Sequence, residues 1–252
     1  HKLFRRTEFL KINNQKFEAY ANRDSLKYRE TYGLKNIPTM YRGTIRRVGF
    51  SIAWNIFVQL GMTDDSYSIE NSENMSYRDF VNLFLAYSPS DSVELKLRSY
   101  LKIDQDDVMW EKLLELDLFN PNKKIGIKNA TPAKMLQKIL EDSWTLQKND
   151  KDMIVMQHLF GYEKEGKKEQ IESSLIVFGE NQNYTAMSKT VGLPLAIATL
   201  KILNGEITKP GVQIPIAKEV YQPILKELKN HGIEFIEKKV PYLGYNPNHV
   251  IG

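Results

Sequence analysis

The chain has 252 residues, 42% apolar and 26% charged, with a formal net charge of +4, a composition that suits an ordinary globular protein of one or two domains. So small a charge, with Lys and Arg interleaved among Asp and Glu, reads as a solvated surface and argues against nucleic acid. With no cysteine, disulfides, thiolate metal sites and a cysteine nucleophile are excluded.

The absence of cysteine is compatible with a reducing compartment. His1, His158, His231 and His249 are too scattered to suggest a metal site. No apolar run approaches the roughly 18 residues that span a bilayer, so no membrane segment is expected. The basic start, HKLFRRTEFLK, lacks the apolar core of a secretory signal. The chain opens on His1 rather than an initiator Met, which predicts that it is part of something longer. It carries neither a GxGxxG run nor a GxxxxGK[ST] loop, so the main loop for any nucleotide is expected outside it.

Along the chain, residues 16–20 and 39–47 read as short strands, with a polar turn at 22–25 and a helical turn at 26–33 ending at Gly33. In the second strand Met40, Arg42, Thr44 and Arg46 point one way, and Tyr41, Gly43 and Ile45 the other. A helix follows Gly49, with Phe50, Ala53, Phe57 and Leu60 on one stripe and Gly61 as its C-cap. After a polar connector at 62–74, Ser76 starts a helix with Tyr77, Phe80, Val81, Phe84 and Leu85 at helical spacing.

Further helices are expected near 91–102, 106–118 and 132–146, the last with Thr131 as N-cap and Pro132 at its first position. Residues 152–163 and 169–180 read as a hairpin around KEGKK. An apolar helical region at 184–204 ends at Gly205, restarted or kinked at Pro194. A helix at 217–231, distorted by Pro223, then closes with Gly232 before a strand at 233–239. This order gives an α+β, or mixed α/β, fold with an all-helical insert.

Arg23, Arg42, Thr44 and Arg46 form the most informative group. Same-face residues on a strand lie about 6.5–7 Å apart, so Arg42 and Arg46 place two guanidinium forks on one face with a hydroxyl between them. Such a face suits carboxylates. A turn at 22–25 lying over the strand adds Arg23, and Asp24 then orients an arginine or receives a ligand ammonium. The alternative pairs Arg23 with Asp24 and leaves Arg42 and Arg46 on an exposed strand face.

Lys189 and Thr190, in SKTVG near a helix start, either meet an anion or serve as cap and surface residues. His158 is either a general base or a structural strand histidine. Asp64-Asp65 and Asp106-Asp107 read as helix-start or loop carboxylates, and the aromatic stripe at 77–87 as bundle core.

The segments YANRDSLKYRETYG, YRGTIRRVGF, KDMIVMQHLFGY, AMSKTVGLPLAIATLKILNGEI and KEVYQPILKELKNHGIEF together resemble the C-terminal half of saccharopine dehydrogenase. The likeness is nearest to the form fused to lysine-ketoglutarate reductase in animal bifunctional enzymes. It runs in order from about residue 16 to 238, with 62–148 matching mainly in pattern.

The resemblance implies oxidation of saccharopine, a glutamate–lysine adduct, to glutamate and a semialdehyde with NAD or NADP. It also implies a mixed-sheet substrate and dimerisation domain (1–61 and 149–182), a helical insert (62–148), and helices and a strand returning to a Rossmann domain (183–252). That Rossmann half, with the acid–base residues, is expected outside the chain, so no catalytic residue is assigned and the isolated portion is expected to be inactive. Carried over by motif, Arg23, Arg42, Thr44 and Arg46 bind substrate, Asn22 and Asp24 support them, and Lys189 and Thr190 face the cofactor's reactive end.

The expected partners are the chain's own Rossmann domain and a second copy, with no nucleic acid and no membrane. The expected location is the mitochondrial matrix or cytoplasm. Ala21, Leu26 and Arg47 depart from the family pattern of Pro, Thr and an aromatic residue. Two other readings compete: a related dehydrogenase of polyamine synthesis, which the arginine-rich strand argues against, and a non-catalytic dimerisation module.

Overall fold

The computed structural model describes residues 3–22 and 24–244. The first sheet has β1 (Thr7–Ile12), β2 (Gln15–Ala21) and β3 (Gly43–Arg47) in that order. Strand β1 is absent from the expectation above. Its signal is Asn13-Asn14: both residues have positive φ (48° and 65°), and Ile12 faces Gln15 across a two-residue loop. Asn tolerates that backbone, and the resulting turn follows the right-handed twist of the strands.

Strand β3 is shorter than the expected 39–47. Its partner β2 ends at Ala21, which leaves 39–41 without a ladder. One further bond, from Asn22 N–H to the Arg42 carbonyl at 2.7 Å, extends the pairing.

Helices α1 (Tyr28–Thr31), α2 (Phe50–Leu60), α3 (Tyr77–Asn82), α4 (Val93–Leu101), α5 (Val108–Leu114) and α6 (Pro132–Trp144) occupy the middle of the chain. Helix α3 opens on a reciprocal cap between Ser76 and Asp79. The Thr131 hydroxyl accepts from Lys134 N–H at the start of α6. The helices close around Tyr77, Phe80, Val81, Leu97, Met135 and Ile139, and Ile56, Phe57 and Leu60 of α2 join the same core. Arg78 clamps α3 to α4 with two bonds to Glu94.

The second sheet is β4 (Met153–Lys164), β5 (Lys167–Phe178) and β6 (Ile236–Val240), in that order. The β4–β5 hairpin turns on Glu165-Gly166, both at positive φ. All registered strand pairs among the described residues are antiparallel, so the expected mixed sheet is corrected to two antiparallel sheets. Two-residue turns impose this on β1–β2 and β4–β5, because a parallel pair needs a long crossover; β3 and β6 return through much longer segments and are set by the path of the chain.

Helix α7 (Ala186–Leu203) runs unbroken through Pro194, and α8 (Lys218–Asn230) packs beside it. Leu175, Val177, Ala186, Ile197, Val220, Ile224 and Leu228 form their core. Contrary to the sequence expectation, α7 is long and apolar enough to cross a membrane by length and composition. Its Lys189 and Lys201 pair with Glu180 and Glu206, and Ala186 and Ile197 tie it to the core. Met187, Val191, Leu195 and Leu200 remain exposed.

The start of α7 depends on Gly179. A Cβ there would lie 2.2 Å from Asp152 Oδ1 and 2.9 Å from Ala186 N. The Asp152 carboxylate cannot yield, because it accepts from Ala186 N–H and Met187 N–H. Gly179→Ala is therefore expected to cost about 1–3 kcal/mol, the range for forced overpacking. Denaturant unfolding checks this; an unchanged midpoint would mean that the corner can open without loss.

Candidate functional site

The candidate site is built on the β2–β3 ladder. Glu18 lies opposite Arg46, and Tyr20 opposite Thr44, so the four side chains share one face. Glu18 is only 2% exposed. Its carboxylate accepts from the backbone N–H groups of Gly49 and Ser51, satisfying two amide donors at the start of α2 where negative charge is favoured. Strand β2, the β3–α2 corner and the helix are thereby locked together.

On this corner the exposed Arg46 guanidinium lies 5.1 Å from the centre of the Phe50 ring and donates to the Ile45 carbonyl. Phe50 stacks on Trp54 at 5.7 Å and 14°. Phe4 meets Tyr20 and Phe50 edge-on.

Arg42 is half-buried, with its guanidinium 4.0 Å from the centre of the Tyr28 ring. Asn22 is adjacent through its main-chain bond to the Arg42 carbonyl. Asp24 has φ 33° and pairs with Lys27 at 3.5 Å, both side chains well exposed. Of the expected turn at 22–25, Arg23 alone lies outside the described residues. Among those described, neither Arg42 nor Arg46 has a carboxylate partner. The structure therefore keeps Asn22, Arg42, Thr44 and Arg46 along one short ladder, with Asp24 directed to Lys27.

Lys189 and Thr190 belong to the other half of the fold. Lys189 pairs with Glu180, and the Thr190 hydroxyl donates to the Ala186 carbonyl at 2.9 Å. The first amides of α7 are already taken by Asp152 and by Thr185, which accepts from Ser188 N–H. That helix start does not fit a nucleotide phosphate: its donors are filled and a carboxylate lies on them. No cluster of potential metal ligands occurs among the described residues.

Residues 1–233 match the sequence model of the family described as the saccharopine dehydrogenase C-terminal domain. The chain belongs to that family. Rat alpha-aminoadipic semialdehyde synthase, mitochondrial, is 35% identical over 223 residues, covering 86% of this chain and 24% of that protein. The NADP(+), L-glutamate-forming saccharopine dehydrogenase of Saccharomyces cerevisiae is 33% identical over 231 residues, 89% of this chain and 51% of that protein. The solved apo structure of histidine-tagged saccharopine dehydrogenase (L-Glu forming) from Saccharomyces cerevisiae superposes with a TM-score of 0.80 at 31% identity. The match covers 94% of this chain and 54% of that one. The chain thus spans about a quarter to a half of the length of these relatives.

In this saccharopine dehydrogenase C-terminal domain, sequence reasoning missed Glu18, Tyr28 and Phe50. Glu18 sits in an alternating strand like any solvent-facing carboxylate, and nothing local announces that it reaches α2. The two aromatics precede or follow the arginines by several residues and meet them only after the chain folds back.

His158 behaves as the structural alternative. Its ring lies 5.5 Å from Phe235 and 5.9 Å from Phe160 at an exposed strand position, and partial desolvation there holds its pKa below the ordinary 6.5. The folded state therefore binds fewer protons than the unfolded one near that pH. The corresponding stability is complete above about 6.5 and is lost as pH falls from there through the lowered folded-state value. His158→Phe should flatten this part of the Tm–pH curve; an unchanged slope would exclude His158 as its source.

Proposed function

We propose that this domain is the substrate-binding part of an NAD- or NADP-dependent saccharopine dehydrogenase of lysine degradation, which converts saccharopine to glutamate and aminoadipate semialdehyde. The observation that carries this reading is the pair Arg42 and Arg46, without a carboxylate partner among the described residues and set beside Asn22 and Thr44 on a family scaffold. Saccharopine carries three carboxylates, and planar guanidinium forks bind such groups with two parallel bonds. Arg23 and Thr44 bind the same ligand in this proposal, and Asn22 and Asp24 support them.

The nicotinamide cofactor supplies a hydride acceptor when bound, and water then splits the resulting imine. This chain's residues contribute the carboxylate grip. Lys189 and Thr190 stand in the proposal as residues facing the cofactor's reactive end, with the phosphate cradle and the acid–base groups in the Rossmann half.

The division into a substrate domain (1–61 and 149–182), a helical insert (62–148) and a segment returning to the Rossmann domain (183–252) is part of the same proposal. The exposed apolar side of α7 supports a covering Rossmann domain. Leu159 and Phe160, exposed on the edge strand β4, support a homodimer. Mitochondrial matrix or cytoplasm is the proposed location, the former in line with the rat relative's name.

The test is turnover of saccharopine by the complete polypeptide, followed through the absorbance of the reduced nicotinamide with NAD and NADP in parallel. Release of glutamate supports the reading; no turnover with either cofactor sinks it.

A further inference from the structure

The two arginines of the candidate site differ from Arg78, which the fold uses structurally. Arg78 is neutralised by Glu94 in a two-bonded pair, whereas Arg42 and Arg46 rest on aromatic rings and have no carboxylate partner among the described residues. A ring takes the face of a guanidinium and leaves the N–H donors in its plane available. An ion pair would instead consume those donors.

The contact is closest at Arg42, 4.0 Å from the Tyr28 centroid. The surrounding chain is organised to keep that ring in place. Tyr28 opens α1 and stacks on Tyr32 at 5.7 Å and 26°. Arg29 donates to the Pro38 carbonyl at 3.3 Å, and Leu34 N–H donates to the Arg29 carbonyl at 2.7 Å. These bonds fold the loop after α1 back so that Arg42 arrives over Tyr28.

We infer that Tyr28 is a positioning residue: its ring holds the Arg42 guanidinium flat, with its in-plane donors presented to a substrate carboxylate. This rests on the assignment of Arg42 as a carboxylate binder. Tyr28 itself touches no reacting atom.

The test is steady-state kinetics of the complete polypeptide with saccharopine, for Tyr28→Phe, Tyr28→Leu, Arg42→Ala and the Tyr28→Leu/Arg42→Ala pair. Tyr28→Phe keeps the ring and should leave KM within about twofold of the parent. Tyr28→Leu should raise KM about three- to tenfold, the range of a cation–π contact, with kcat unchanged. Because Tyr28 acts through Arg42, the double variant should be no worse than Arg42→Ala.

A raised KM in Arg42→Ala with none in Tyr28→Leu overturns the inference and leaves the arginine assignment standing. An unchanged KM in Arg42→Ala overturns both. Should Tyr28→Leu fail to fold, phenylalanine carrying increasing numbers of ring fluorines at position 28 keeps the shape while draining the ring of negative charge. KM should climb along that series, and a flat series overturns the inference.

Discussion

Arg42→Ala in the complete polypeptide is expected to raise the KM for saccharopine about ten- to 150-fold, corresponding to about 1.5–3 kcal/mol for a bond to a charged group. The loss should fall on KM rather than kcat. Arg42 would grip a carboxylate that is equally charged in the ground state and in the transition state, so its contribution is uniform binding. Its half-buried position favours the upper part of the range, because a contact partly shielded from water is less screened than an exposed one. Arg46, exposed on β3, should give a smaller effect when changed in the same way. A KM for Arg42→Ala equal to that of the parent would remove this strand from the site.

The second large effect concerns stability. Glu18→Ala is expected to cost about 2–4 kcal/mol, since it strands two backbone donors at the start of α2 and removes a charge favourably placed at a helix N-terminus. Glu18→Gln keeps one acceptor oxygen and should cost roughly half as much. Both variants should lower the denaturant midpoint with an unchanged m-value, because neither alters the surface exposed on unfolding. Arg46 lies across the ladder from Glu18, and Phe50 begins the helix that Glu18 caps. The alanine variant should therefore also loosen the Arg46 end of the site. An unfolding midpoint unchanged by Glu18→Ala would show that water replaces the carboxylate at no cost.

Much of the fold was legible in local chemistry. Ser76, Thr131 and Gly61 sit where their caps were expected, because a cap is decided by residues within one turn of it. The KEGKK hairpin follows from the same locality. The missed β1 was legible in principle, since Asn13-Asn14 is a turn signal as strong as Glu165-Gly166. Its short alternating run, TEFLKI, was masked by the charges on either side of it.

The sequence by itself determined the helical middle, the hairpins, the lack of cysteine chemistry and the family. It did so because periodicity, caps and ordered motifs are properties of neighbours along the chain. Tertiary structure alone decided that β3 and β6 each complete a separate antiparallel sheet, that Glu18 caps α2, that Asp152 fills the α7 start, and that Arg42 and Arg46 rest on Tyr28 and Phe50. Each of these joins groups brought together by the path of the chain, and a charge's partner is whichever group that path puts within reach. Arg42 reads in the sequence as either a carboxylate-binding fork or an exposed strand cation; the folded loop after α1 gives it a ring to lie on.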